Sequence, residues 1–301
     1  MRNVKYWVRS RFQKAVSAGK SFTLSCWGWS ETTVEEAAAK AEERLSMVLA
    51  RVSSGGDIAD YPYGANPLRE IVIREGEDDG NGELNFIVTQ NSYGCYIINT
   101  SRMMFVDIDI SCEEAAPSGG SLISTVLGFL FGPPIVKKEA SGSADPREVS
   151  EQAHIELLRK MAESDSRFSA RVYRTCGGLR YIITHREYDP AGEESVNILK
   201  SLKCDPMYVR LCRLQKTYRA RLTPKAWRCG VPKIHISYPF ENSGCEKALD
   251  EWMKEYNAAG SSHATCRYLC TVGNEEINKA FEEMIKLHDE ITRSDSGLKL
   301  A

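Results

Sequence analysis

Apolar and polar positions change period several times along this chain, and the changes divide it into elements. Val4 to Arg11 alternates with the two-residue period of a strand, and Ser21 to Trp29 does so again after a turn at Gly19. Thr32-Thr33-Val34-Glu35 has capping-box spacing. It opens a helix that Ala37, Ala41, Leu45, Val48 and Leu49 carry to about Val52. After a loop, Arg69 to Arg74 reads as a short strand and Glu75 to Gly82 as an acidic turn. A meander follows: Leu84 to Thr89, Tyr93 to Asn99 and Met103 to Ile110.

Residues 112–145 differ in kind, being rich in Ser, Gly, Pro and Ala around an apolar patch, Leu122 to Val136. The pattern predicts a mobile insert whose patch docks on the core or meets a protein partner. Pro146 can open the next helix, with Val149, Ala153, Ile155, Leu157, Leu158 and Met161 on its apolar side. Phe168 to Thr175 and Leu179 to Thr184 are strands joined tightly by Cys176-Gly177-Gly178, and a helix runs from about Glu193 to Lys203. Further on come a strand (Lys233 to Tyr238), a helix (Glu246 to Asn257), a strand (Ala264 to Val272) and an amphipathic helix (Glu275 to Ile291). The last ten residues are polar and expected to fray.

The middle thus reads β-β-β-(insert)-α-β-β-α, which contains the order of a ferredoxin-like or RNA-recognition-type antiparallel sheet. The expectation is an α+β protein with that core, an N-terminal β-β-α unit and a helical C-terminal portion. The corresponding divisions are 1–82, 83–240 and 241–301.

Composition narrows the class rather than the function. The 301 residues suffice to bury a proper core. Ten scattered cysteines without a C-x-x-C read as reduced thiols, and the chain shows neither a signal-peptide pattern nor an apolar run long enough to span a bilayer; a cytoplasmic protein is expected. Cys266 and Cys270 with His263 read as core positions rather than a metal site. Net charge is only −2, yet Lys203 to Lys233 holds nine basic residues against one acid, Asp205. A basic tract on an otherwise acidic chain suits phosphate or nucleic acid, and equally a solvated face paired with acids elsewhere.

Within Met103 to Ile110, Asp107 and Asp109 stand at i and i+2 of a strand and share one face, with Val106, Ile108 and Ile110 on the other. Two neighbouring acids repel, and a divalent cation with a preference for hard oxygen ligands, magnesium or manganese, resolves the conflict. An arginine or plain solvent does so too. The hairpin Thr175-Cys176-Gly177-Gly178-Leu179-Arg180 offers close backbone approach and a forked donor for phosphate. Asp205, read at the end of a helix, heads the series Arg210, Arg213, Arg219 and Arg221. Acids for metal, glycines and arginine for phosphate and a tract for a polyanion are the parts of metal-dependent nucleotidyl transfer.

In this order the motifs resemble the catalytic core of the archaeo-eukaryotic primase and primase-polymerase superfamily, over roughly residues 84–215. V-D-I-D at 106–109 matches its hydrophobic-D-x-D strand. The 175–180 hairpin matches its Gly hairpin in part, with Arg180 where the family has a nucleotide-binding histidine; His185 falls on the opposite face. Asp205 with Tyr208 to Arg213 resembles the third motif. The resemblance implies Asp107, Asp109 and Asp205 as catalytic ligands of two magnesium or manganese ions. It implies Thr175, Gly177, Gly178, Arg180, Arg210 and Arg213 on a nucleoside triphosphate. Lys216, Arg219, Arg221, Lys225 and Arg228 of the basic tract would meet DNA or RNA. Three rival readings stand beside it: a non-catalytic nucleic-acid-binding module, a metal-dependent nuclease or phosphatase, and a scaffold acting through the insert.

Overall fold

The computed structural model describes residues 4–17, 20–55, 67–78, 80, 82–110 and 145–301. The expected insert, with its Leu122 to Val136 patch, lies outside the described residues apart from Asp145.

The N-terminal unit is a long antiparallel hairpin, β1 (Tyr6–Ser17) and β2 (Lys20–Ser30), backed by α1 (Val34–Ser53). Thr33 caps α1 by accepting from the Glu36 N–H at 3.1 Å, and Ala37, Ala41 and Leu45 turn inward. Two four-stranded antiparallel sheets form the centre of the rest. One runs β3 (Ile71–Glu75), β4 (Ile87–Gln90), β5 (Tyr96–Thr100), β9 (Tyr218–Arg221). The other runs β11 (Cys266–Gly273), β7 (Ser169–Thr175), β8 (Gly178–Ile183), β6 (Phe105–Asp109).

The fold is therefore α+β, with antiparallel sheets and helices. The adjacency β6-β8-β7 is that of a ferredoxin-like order, but β11 adds beyond β7 rather than beside β6. Sheet pairing crosses the expected divisions. β3 of the first segment pairs with β4, and β11 of the last pairs with β7.

The helices are α2 (Pro146–Ser164), α3 (Glu193–Ser201), α4 (Pro206–Gln215), α5 (Ser243–Gly260) and α6 (Glu282–Thr292). Along α2 the inward face carries Glu151, Ile155 and Leu158, while Val149, expected inside, is 56% exposed. Glu151 is buried because two arginines claim it: Arg147 Nε at 3.1 Å and Arg174 Nε at 2.9 Å. Arg147 also donates to the Thr175 carbonyl at 2.8 Å, so α2 fixes the end of β7 where the hairpin begins.

Two further expectations fail. Lys233 to Tyr238 alternates but forms no strand; its Ile236 N–H donates to the Ser92 carbonyl at 2.8 Å instead of joining a ladder. The C-terminal residues do not fray. β12 (Lys299–Leu300) pairs in parallel with β10 (His263–Ala264), and the Ala301 N–H donates to the Ala264 carbonyl. Main-chain bonds hold them, and a polar composition does not reveal main-chain bonds.

Candidate functional site

The two sheets meet along β6 and β9, and α4 joins them. The Tyr208 hydroxyl donates to the Phe105 carbonyl at 3.2 Å and takes the Arg219 N–H at 3.2 Å, bridging one strand of each sheet. At this seam, the end of β6, the start of β8, the N-terminus of α4 and the residues after β9 come together.

Asp205 does not end a helix. It is the N-cap of α4, with Pro206 in the first turn, and its Oδ1 accepts from the Met207 N–H at 2.9 Å. The preceding turn docks on β6. Cys204 Sγ lies 3.2 Å from the Asp107 carbonyl oxygen, and the Asp205 N–H donates to the same oxygen at 3.4 Å. Three acids are thereby gathered from two distant segments. Their charges are felt: burial first, then Asp205 and Asp107, push the Asp109 carboxyl above its usual range, while Lys225 and Arg228 oppose the shift.

Asp107 and Asp109 share a face, as their spacing requires, but their surroundings differ. Arg180, opposite Asp107 across the β6–β8 ladder, donates from Nε to Oδ1 at 2.8 Å and from Nη2 to Oδ2 at 3.3 Å. Arg180 is itself fully buried, and its Nη1 donates to the Arg221 carbonyl at 2.8 Å. Asp109 has no hydrogen bond or ion pair among the described residues.

Behind Arg180 lies a residue of the amphipathic helix expected over Glu275 to Ile291. His288 of α6 is completely buried against Phe105 and Tyr173, with Nε2 3.5 Å from Arg180 Nη1 and Nδ1 2.9 Å from Asp289 Oδ1. Arginine can only donate, so Nε2 accepts, and Nδ1 carries the proton that it gives to Asp289. Burial holds this imidazole below the ordinary histidine range, hence neutral. Asp289 in turn takes Arg171 Nη2 at 2.8 Å, and Arg171 Nε donates to the Tyr173 hydroxyl at 2.7 Å. A continuous polar chain thus runs under the sheet from Asp107 to Tyr173. The one hint in the sequence was a titratable ring at an inward helical position.

The glycines divide the same way. A Cβ on Gly178 would stand 1.9 Å from the Ile108 carbonyl oxygen, so its bare backbone serves the β6–β8 approach and not a ligand. A Cβ on Gly177 would meet Asp109 Oδ1 at 3.8 Å and Arg228 Nη2 at 3.9 Å, ordinary contact distances that put this glycine beside both the acid and the arginine. Neither glycine has a positive φ.

Several residues singled out in the sequence need correction. Arg180 is not offered to a phosphate, because the donors that Asp107 and Arg221 receive are committed inside the protein. Thr175 is tied through its carbonyl to Arg147. Arg219, in β9, is paired by Nη2 to both oxygens of Glu70 at 2.7 Å, just before β3 of the same sheet, and Arg221 Nη1 donates to the Thr223 carbonyl. Arg210 and Arg213 are exposed along α4, about 7 and 12 Å of helical rise beyond Asp205, and Lys216 is its left-handed C-cap. The basic residues brought to the acids are Lys225 and Arg228. Burial, then the charges of Arg221 and Arg228, hold the Lys225 ammonium below its usual range.

No group of three or more His, Cys, Asp and Glu is arranged to hold a metal ion among the described residues, the Cys266–Cys270–His263 set included. No helix there is long and apolar enough to cross a membrane. No protein-family model, curated protein or solved structure matches the chain.

Proposed function

We propose that this protein is a metal-dependent nucleotidyltransferase of primase-polymerase type, or a descendant that still binds nucleotide and nucleic acid, working where β6 meets the start of α4. One observation carries the reading. Asp109, an exposed carboxylate with no internal partner among the described residues, faces the charges of two acids and two cations and lies beside Gly177. An exposed acid needs no partner to be tolerated, so what marks Asp109 is the partial burial and crowding of like charge that push its carboxyl up beside two cations.

Asp109 and Asp205 would be the carboxylates for a magnesium or manganese ion, which is commonly held by one or two carboxylates and completes its shell with water and substrate phosphate. Asp107 does not fit as a further ligand while Arg180 occupies both its oxygens. Bound there, the ion would neutralise charge on a nucleoside triphosphate. The chain's own part is positioning. Lys225 and Arg228 attract the phosphates, Gly177 adds no side chain between Asp109 and Arg228, and the Arg180–Asp107 pair keeps β6 and β8 in register beneath.

The Arg180–Asp107 pair favours one second reading, in which the acids no longer catalyse and the surface binds nucleic acid alone. Extension of a labelled oligonucleotide with nucleoside triphosphates and manganese separates the two. Template-directed or untemplated addition, lost in Asp109→Asn, is the expected result. Cation-dependent nucleotide binding without extension assigns the binding descendant. Absence of both extension and nucleotide binding contradicts the proposal.

A further inference from the structure

Beside the acids is an aromatic surface that the motifs above do not use. Trp227 sits on a short 3-10 turn (Ala226–Arg228) and is 40% exposed, the most open of the five tryptophans. Tyr93, at the tip of the β4–β5 turn, is 51% exposed and meets it edge to face, ring centroids 6.3 Å apart at 78°. Two cations flank the same indole: Lys225 Nζ 5.5 Å and Lys233 Nζ 4.8 Å from its centroid.

The rings are held from behind. Ala226 is fully buried, and its carbonyl takes the Cys229 and Val231 N–H groups at 2.9 and 3.0 Å. Gly94, at φ +79°, passes so close to Trp252 of α5 that a Cβ would meet the indole at 2.4 Å; that indole donates to the Pro232 carbonyl at 2.9 Å. Asn91 Oδ1 accepts from Tyr93 and Cys95, at 3.0 and 3.1 Å. Both rings therefore stand on fixed backbone, and little conformational entropy is lost when something stacks on them.

We infer that Trp227 and Tyr93 form a stacking platform for the bases of a single-stranded nucleic acid, with Lys225 and Lys233 on its phosphates. A lone apolar patch would suit a protein, but an exposed aromatic pair ringed by ammonium groups suits alternating base and phosphate. Lys225 links the platform to the acids, since the charge of Asp109 bears on it. The inference rests on the nucleic-acid reading above, and its test separates the two.

The test is fluorescence anisotropy of labelled oligo-dT and oligo-U of about ten nucleotides, alongside calorimetry of nucleoside triphosphate with manganese. Trp227→Ala should weaken oligonucleotide binding about tenfold, with Trp227→Phe recovering most of it, and should leave nucleotide binding as in wild type. Lys233→Gln should lower the salt slope by about 0.7. Tryptophan-dependent oligonucleotide binding without nucleotide binding supports the platform and removes the catalytic reading. Nucleotide binding with oligonucleotide affinity unchanged in Trp227→Ala overturns the platform alone and leaves the rings to a protein partner. Because Trp227 is exposed, the variant should melt as wild type does; a preference between the two oligonucleotides would identify DNA or RNA.

Discussion

Arg180 donates to both oxygens of Asp107, while Asp109, two residues along the same face, has no such partner among the described residues. The two acids of one D-x-D thus play different parts. Asp107 compensates a buried cation and belongs to the fold; Asp109 keeps its charge available and belongs to the site.

Their substitutions should move stability in opposite directions. Asp107→Asn strands the buried Arg180 charge and should cost about 2–3 kcal/mol, below the full cost of breaking a buried pair because Asp107 is itself partly exposed. Asp109 has a folded pKa above its unfolded value, so its ionisation opposes folding above the ordinary carboxylate range. Asp109→Asn should therefore raise the melting temperature at neutral pH, with the gain vanishing below about pH 4. Thermal melts of the two variants at both pH values measure this. Equal effects would contradict the division of roles.

His288 should set an acid-side limit on stability. Its folded pKa lies below its unfolded value, so the unfolded chain takes up a proton that the folded one refuses, and stability falls as pH drops below about 6.5. Asp289, also depressed, adds a loss only in the lower carboxylate window. Denaturant titrations between pH 7 and pH 5, values that bracket the ordinary histidine pKa of about 6.5, should show the slope in wild type and a flatter one in His288→Gln. An unchanged slope would mean that His288 is not the titrating group.

Local chemistry was legible in the sequence, and long-range pairing was not. The start of α1, one residue beyond the Thr32 that the Thr32–Glu35 spacing marks, the Pro146 start and the 176–177 turn follow from neighbours in the chain. Asp205-Pro206 carries the same cap signal as Asp145-Pro146, but the apolar spacing of α3 runs almost up to it and hides the start of a new helix. Alternation could not tell Lys233 to Tyr238, which finds no ladder partner, from β11, which does. Nor could it divide the strands between two sheets, since β5 pairs with β9 from more than a hundred residues away. At the site, the spacing put Asp107 and Asp109 on one face. It could not show that Arg180 turns inward to one of them, which depends on His288 and Arg221 arriving from elsewhere.

The most direct test of the account is calorimetric binding of a nucleoside triphosphate with manganese to wild type, Asp109→Asn and Asp205→Asn. Asparagine caps a helix as well as aspartate does, so the second variant removes a charge and keeps α4 intact. The account predicts manganese-dependent binding in wild type, weakened at least about tenfold in each variant. No binding in wild type, or equal affinity in all three proteins, would contradict it.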